Sequence, residues 1–167
     1  MELIVLVVLA LTIAAVVFGK SSNDGKPSGP LASFYPPIAD KLVLRNDIQG
    51  LGHFGAPRGS RKHQGIDFVA VPGMVVKAPI SGNVRSLQVY NGDPTWKGVS
   101  ITSGDLEVKM FYVAPFANLP KSITRGTLIG SMQNRAATST GMINHIHVEV
   151  WLKGKLQDPS KFFNYIK

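Results

Sequence analysis

The apolar positions along the chain fall into two regimes. Leu3 to Phe18 is an unbroken apolar run in which Thr12 is the only polar residue. Beyond it, apolar residues come in short stretches separated by Gly, Pro, Asn and Asp, with no sustained helical period. The run predicts a single apolar helix of ~24 Å at ~1.5 Å per residue. A bilayer core is ~30 Å thick, so a transmembrane anchor over residues 1–19, lengthened by its flanks, is expected. Export signals carry Lys or Arg ahead of such a run. Glu2 stands there instead, which favours a retained anchor over a leader cleaved near Val17-Phe18-Gly19. Residues 20–37 are rich in Ser, Gly, Pro and Asn and short of packing groups, the composition of a flexible linker. The remaining segment, 38–167, is long enough to bury a core of its own.

That segment reads as mainly β. Val75-Val76, Val84 to Val89, Val99 to Thr102 and Leu106 to Val113 are the clearest strands. Ser103-Gly104-Asp105 predicts a hairpin turn between the last two. His145 to Trp151 alternates polar and apolar residues, as a half-buried strand does. Asp158-Pro159 predicts a capped helix start and a short helix through Tyr165. The expected fold is a compact antiparallel β-sheet domain preceded by one N-terminal transmembrane helix.

Composition narrows the chemistry. The chain has no cysteine, so disulfides and thiolate metal sites are excluded, and a metal must sit on His, Asp or Glu. Lys and Arg number 18 against 10 Asp and Glu, a net charge of +8. Glu2 and Asp24 balance Lys20 and Lys26, so the excess belongs to the β-rich segment. Such a surface favours anionic polymers or phospholipid. The basic residues are scattered rather than striped, and no nucleic-acid partner is expected.

The four histidines all lie in the β-rich segment, three of them in two clusters: His63-Gln64-Gly65-Ile66-Asp67 and His145-Ile146-His147. On a strand, His145, His147 and Glu149 share one face while Ile146, Val148 and Val150 share the other. The aliphatic face suits a core, and the imidazole face can converge on one small site. His63 and Asp67 are ~13 Å apart along a straight strand, whereas zinc ligands bind at ~2.0–2.2 Å. A bend is therefore expected between them, with Gly65 the residue best able to allow it. One ion held by His63, Asp67 and one histidine of the second cluster would have three protein ligands, the count of a catalytic zinc site.

His63-x-x-x-Asp67, followed eighty residues later by His145-x-His147, resembles the signature of the M23 (lysostaphin and LytM type) metallopeptidases. Val71-Pro72-Gly73, Val76-Lys77-Ala78-Pro79, Gly82-Asn83-Val84 and Gly126 to Gly130 agree with it. His-Gln-Gly-Ile-Asp, Val108 to Tyr112 with Pro115 following, and His145 to Glu149 resemble in particular the leukocyte cell-derived chemotaxin branch, whose cysteines are absent here. The resemblance implies zinc as cofactor, His63, Asp67 and His147 as its ligands, and His145 as the catalytic histidine. It further implies a peptidoglycan peptide cross-link, or another anionic cell-wall polymer, as substrate or partner. Active members carry a second catalytic histidine where this chain has Ala114, a substitution shared with the chemotaxin branch, which binds zinc without established peptidase activity. His53 and Tyr112 are the candidate auxiliary groups. The expectation is thus a membrane-anchored zinc metalloendopeptidase of a bacterial envelope or a virion membrane, with the lipid bilayer as partner through Leu3 to Phe18. The alternative is a non-catalytic zinc-stabilised binding or structural module.

Overall fold

The computed structural model describes residues 34–167. Among these no helix is long and apolar enough to cross a membrane; the anchor expected over Leu3 to Phe18 lies outside the described residues. The architecture is mainly β, as the sequence predicts. A seven-stranded sheet runs in the order Ser122–Ile123, Gly82–Tyr90, Asp93–Ser103, Leu106–Phe111, His145–Leu152 and Lys155–Gln157, with Ile66–Val69 paired to the free edge of His145–Leu152. A second sheet of three strands joins Val113–Pro115, Leu128–Met132 and Val75–Lys77.

The His145–Leu152 strand is the axis of the larger sheet. Along one edge it pairs antiparallel with the whole of Leu106–Phe111, from Leu106↔Leu152 to Phe111↔His147. Along the other it takes Ile66–Val69 over its first half and Lys155–Gln157 over its second. Its alternation sorts its side chains. Ile146, Val148 and Val150 are fully buried against Ile66, Phe68, Val108 and Met110 in a single core. The opposite face carries His145, His147, Glu149 and Trp151.

The expected strands form, and one of them differs instructively. Leu106 to Val113 is not continuous, because Tyr112 stands between Leu106–Phe111 and Val113–Pro115 with a φ of +64°. Left-handed backbone at a bulky residue is unfavourable, and it moves the chain from the first sheet to the second. The hairpin turn lies at Gly104 (φ +56°), as expected.

The C-terminal helix is shorter than the sequence suggests. Asp158 does cap it, accepting from the Ser160 amide at 2.9 Å, but only a 3-10 turn, Pro159–Lys161, follows. Phe162 and Phe163 are drawn into the core, and Tyr165–Ile166 pairs in parallel with Leu42–Val43. Burying two aromatic rings outweighs continuing a helix of a few residues, whose isolated stability is marginal. Phe34 stacks on Phe162 with ring centroids 4.9 Å apart, so the packed body includes residues ahead of the domain start expected at 38.

Phe68 joins the two halves of this core. It has no exposed surface and meets Phe163 edge-on at 5.6 Å and Tyr165 at 5.7 Å. Phe68→Ala is expected to cost about 3–5 kcal/mol. Urea unfolding followed by near-ultraviolet dichroism checks this: the midpoint should fall, and a loss below about 1 kcal/mol would contradict the central place given to this ring.

Candidate metal centre

Strand register brings the two sequence clusters together. Asp67 lies directly opposite His147 across the antiparallel pair. The Asp67 amide donates to the Gly52 carbonyl, and its own carbonyl accepts from the Arg45 amide, both at the strand's other edge. Asp67 and His147 therefore form a non-hydrogen-bonded pair, the kind in which side chains approach most closely. His147 Nδ1 comes within 2.8 Å of Asp67 Oδ1.

His63 arrives by a different route. A small hairpin pairs Pro57–Arg58 with Arg61–Lys62, and His63 leaves it with its amide on the Ala56 carbonyl and its carbonyl on the Gly55 amide. The chain then runs beneath His147. Gly65 is required there for proximity: a Cβ would collide with the Val148 carbonyl and stand 2.6 Å from His147 Cε1. His63 Nε2 finishes 3.0 Å from His147 Nδ1 and 3.1 Å from Asp67 Oδ1.

The outer atoms of each ring explain how the inner ones point. His63 Nδ1 lies 2.8 Å from the His53 carbonyl, which can only accept, so Nδ1 carries the hydrogen and Nε2 turns a lone pair inward. His147 Nε2 faces Glu149 Oε1 at 3.4 Å, and Glu149 is itself steadied by the Trp151 indole N–H at 2.8 Å. Second partners of this kind orient metal-ligating histidines. Asp67 Oδ2 is turned away toward Arg45 Nε at 3.3 Å and Arg58 Nη2 at 3.5 Å, leaving Oδ1 for the centre.

Three acceptors within about 3 Å of one another demand a cation between them. A proton on His147 meets the demand. Burial opposes that proton, but the hydrogen bond and charge of Asp67, supported by those of Glu149, outweigh it and raise the His147 pKa to about 9. Burial would likewise raise Asp67; hydrogen bonds from His147 and His63, with the charges of His147 and His145, hold its carboxyl far below the usual range. A divalent metal meets the same demand more fully. Among the described residues, His63, Asp67 and His147 are the group whose donor atoms converge closely enough to hold one, and two imidazoles with one carboxylate suit zinc.

His145 stands beside this group. Its Nε2 lies 3.9 Å from Asp67 Oδ1, while Nδ1 donates to the Ile143 carbonyl at 2.8 Å. Burial lowers its pKa, against the raising effect of the Asp67 charge. Tyr112 meets the His145 ring edge-on at 5.3 Å. Both border a groove of about 270 Å³ that also exposes His63, Asp67 and His147.

The auxiliary candidates divide. Tyr112 lines the groove. His53 serves through its backbone carbonyl, and its exposed imidazole borders a separate hollow with Phe54 and Tyr165. Ala114 pairs with Ser131 and does not line the groove. Sequence reasoning missed Arg45, Arg58, Tyr90 and Arg135, all of which line it. No spacing links them to the histidines. Glu149 was legible as a residue on the His147 face, though not as its hydrogen-bond partner.

A family model described as Peptidase family M23 matches residues 61–159. Leukocyte cell-derived chemotaxin-2 of Bos taurus is 28% identical over 137 residues, covering 81% of this chain and 88% of that protein. Among solved structures, the catalytic domain of the antimicrobial peptidase lysostaphin from Staphylococcus simulans matches with a TM-score of 0.52 and 23% identity, over 68% of this chain and 89% of that one. Helicobacter pylori Csd3 matches with a TM-score of 0.58 and 21% identity over 81% of this chain, which spans about a third of its length (34%).

The geometry carries two expectations. Elemental analysis of the purified chain should find one zinc per molecule, and the Asp67→Ala, His147→Ala double variant should have lost it; full occupancy in that variant would remove these residues from the site. Metal uptake at pH 7 should also release one proton, because His147 is protonated below about 9 and a ligand nitrogen must be free. Calorimetry in buffers of different ionisation enthalpy reads that proton directly, and the release should vanish at about pH 10. In chelator the sign reverses for stability. The raised His147 pKa stabilises the metal-free fold below its unfolded value, and that contribution is lost as pH rises through about 9.

Proposed function

The chain belongs to peptidase family M23, and from that premise we propose that it is a zinc metalloendopeptidase that hydrolyses peptide cross-links of peptidoglycan while tethered to a membrane by Leu3 to Phe18. The observation that carries this reading is the convergence of His63 Nε2, Asp67 Oδ1 and His147 Nδ1 on one point in an open groove, with His145 alongside. Three protein donors in a cleft are the donor count of catalytic rather than structural zinc.

Zinc held by His63, Asp67 and His147 would supply Lewis acidity toward a peptide carbonyl and lower the pKa of water. The chain supplies the rest. Because Nδ1 of His145 donates to Ile143, Nε2 is the basic nitrogen, and it faces the groove. Burial keeps the ring neutral, so it can take a proton at Nε2 from a groove water and deliver it to the leaving nitrogen. Tyr112 packed edge-on fixes the plane of that ring. Phe111, stacked on His147 at 5.1 Å, covers one side of the ligand set.

A second reading, a zinc-stabilised binding or structural module, is favoured by one observation. Among the described residues, His145 is the only imidazole lining the groove apart from the ligand set, since the His53 ring lies elsewhere and Ala114 stands where the family resemblance places a histidine. Similarity to chemotaxin-2 supports the same reading. Under either reading we place the protein at a bacterial envelope or in the membrane of a virion.

Release of free amines from purified cell walls separates the two. The wild-type chain is expected to release them slowly and in a chelator-sensitive way. His145→Ala should lower the rate by about 10²–10⁴-fold with zinc content unchanged. Absence of any release from zinc-loaded wild type, with retention of the protein on the walls, would leave the binding module.

A further inference from the structure

The groove beyond His145 holds a feature that metal binding does not use. Arg135 lies in the 3-10 turn Arg135–Thr138, its guanidinium over the Trp96 ring at 5.3 Å and the Tyr112 ring at 5.6 Å. Nη1 donates to Thr138 Oγ1 at 2.7 Å, while Nε is buried with no hydrogen-bond partner. Beside it the Tyr90 and Tyr112 hydroxyls are 2.7 Å apart. Two hydroxyls sharing one hydrogen bond leave one O–H to donate outward.

The charge balance of the groove singles this corner out. Arg45, Arg58, Arg61 and Arg135 line it against two carboxylates, Asp67 and Glu149. Arg45 and Arg58 are engaged by Asp67, and Glu149 by His147 and Trp151, while Arg61 is exposed on the hairpin. Arg135 has no carboxylate within ion-pair distance among the described residues, yet two aromatic rings hold it in one orientation at the wall. Tyr112 keeps its place there in left-handed backbone, a conformation that costs of order 1–3 kcal/mol and gathers at functional sites. A flat guanidinium without a carboxylate partner, flanked by phenolic hydroxyls, is a recognition geometry for a carboxylate.

Resting on the reading of this cleft as a peptide groove, we propose that Arg135, with the hydroxyls of Tyr90 and Tyr112, forms a carboxylate subsite that selects peptides carrying a carboxylate on the His145 side of the metal centre. The contact of Tyr112 with His145 sets the side. The carboxylate is either a peptide's C-terminus or an acidic side chain. Arg135 is a specificity residue and touches no ligand of the metal group.

Calorimetric titration of the full zinc-loaded chain in detergent micelles tests this with two pairs of probes. One pair is acetyl-tetraglycine with a free or an amidated C-terminus; the other is acetyl-Gly-Gly-Glu-Gly-amide and its Gln counterpart. In at least one pair the carboxylate form should bind about tenfold more tightly or better, and the pair that discriminates identifies the source. Arg135→Gln should bring the ratio near one with zinc content unchanged, and Arg135→Lys should restore part of it. A ratio near one in both wild-type pairs, or an unchanged ratio in Arg135→Gln, overturns the subsite. Because the ratio is read from binding, the readings fail separately: a chain that cuts walls without discriminating loses the subsite alone, and one that discriminates without cutting loses the hydrolase alone.

Discussion

The pairing of Asp67 with His147 is the constraint on which the rest of the site depends. It is a register statement before it is a chemical one. A slip of Ile66–Val69 by one residue along His145–Leu152, which Leu106–Phe111 holds in place, would turn Asp67 into the core and expose Ile66 and Phe68. The hydrophobic effect therefore enforces the register: Ile66 and Phe68 are fully buried against Ile146 and Val148, and both would lose that burial in the slipped pairing. Metal-site geometry is guaranteed by aliphatic packing on the opposite face of the same two strands.

What the pairing creates is electrostatically unstable by itself. A carboxylate and two imidazoles with inward lone pairs occupy a space from which water is nearly excluded, since Asp67 is 2% exposed and His63 5%. Buried acceptors without a donor or cation carry a large penalty. The surroundings resolve the conflict by division. Oδ2 of Asp67 faces Arg45 and Arg58, the outer nitrogens of the imidazoles face the His53 carbonyl and Glu149, and only the inner atoms keep an unmet demand. The centre is thus selective for a cation because every other requirement of these side chains is met elsewhere. The neighbouring His145 escapes this demand, its Nδ1 being tied to Ile143, and so keeps a free basic nitrogen beside the group.

The same fold converts dispersed charge into a directed field. Arg45, Arg58, Arg61 and Arg135 come from a loop-and-strand segment, both strands of a hairpin and a 3-10 turn, yet they share one groove. Lined by more guanidinium than carboxylate, the groove favours anionic ligands. The positive-φ Tyr112 is the hinge of this arrangement. It passes the chain between the two sheets and sets its ring between His145 and Arg135, coupling the metal-side wall to the basic wall.

Much of this was legible in the sequence. Alternation along His145 to Trp151 assigned the faces of the central strand, the short apolar stretches marked the β-rich fold, and two histidine clusters resembling the M23 signature named the residues that converge. Those features are local or carried by motif, so spacing alone records them. The terminal helix was misjudged because a good cap, Asp158, competes with burial of Phe162 and Phe163, and only the assembled core decides between them. Spacing marks Gly65 as a point of bending, but its need comes from the Val148 backbone passing close by, a contact made by a strand some eighty residues away. The roles of Arg45, Arg58, Tyr90 and Arg135, and of the His53 carbonyl, had no signature at all. An arginine's partner is set by where the chain folds it rather than by its neighbours in sequence. The sequence determined which side chains could do chemistry; the tertiary structure decided which atoms face inward, because orientation depends on cross-strand register and long-range hydrogen bonds that no local pattern encodes.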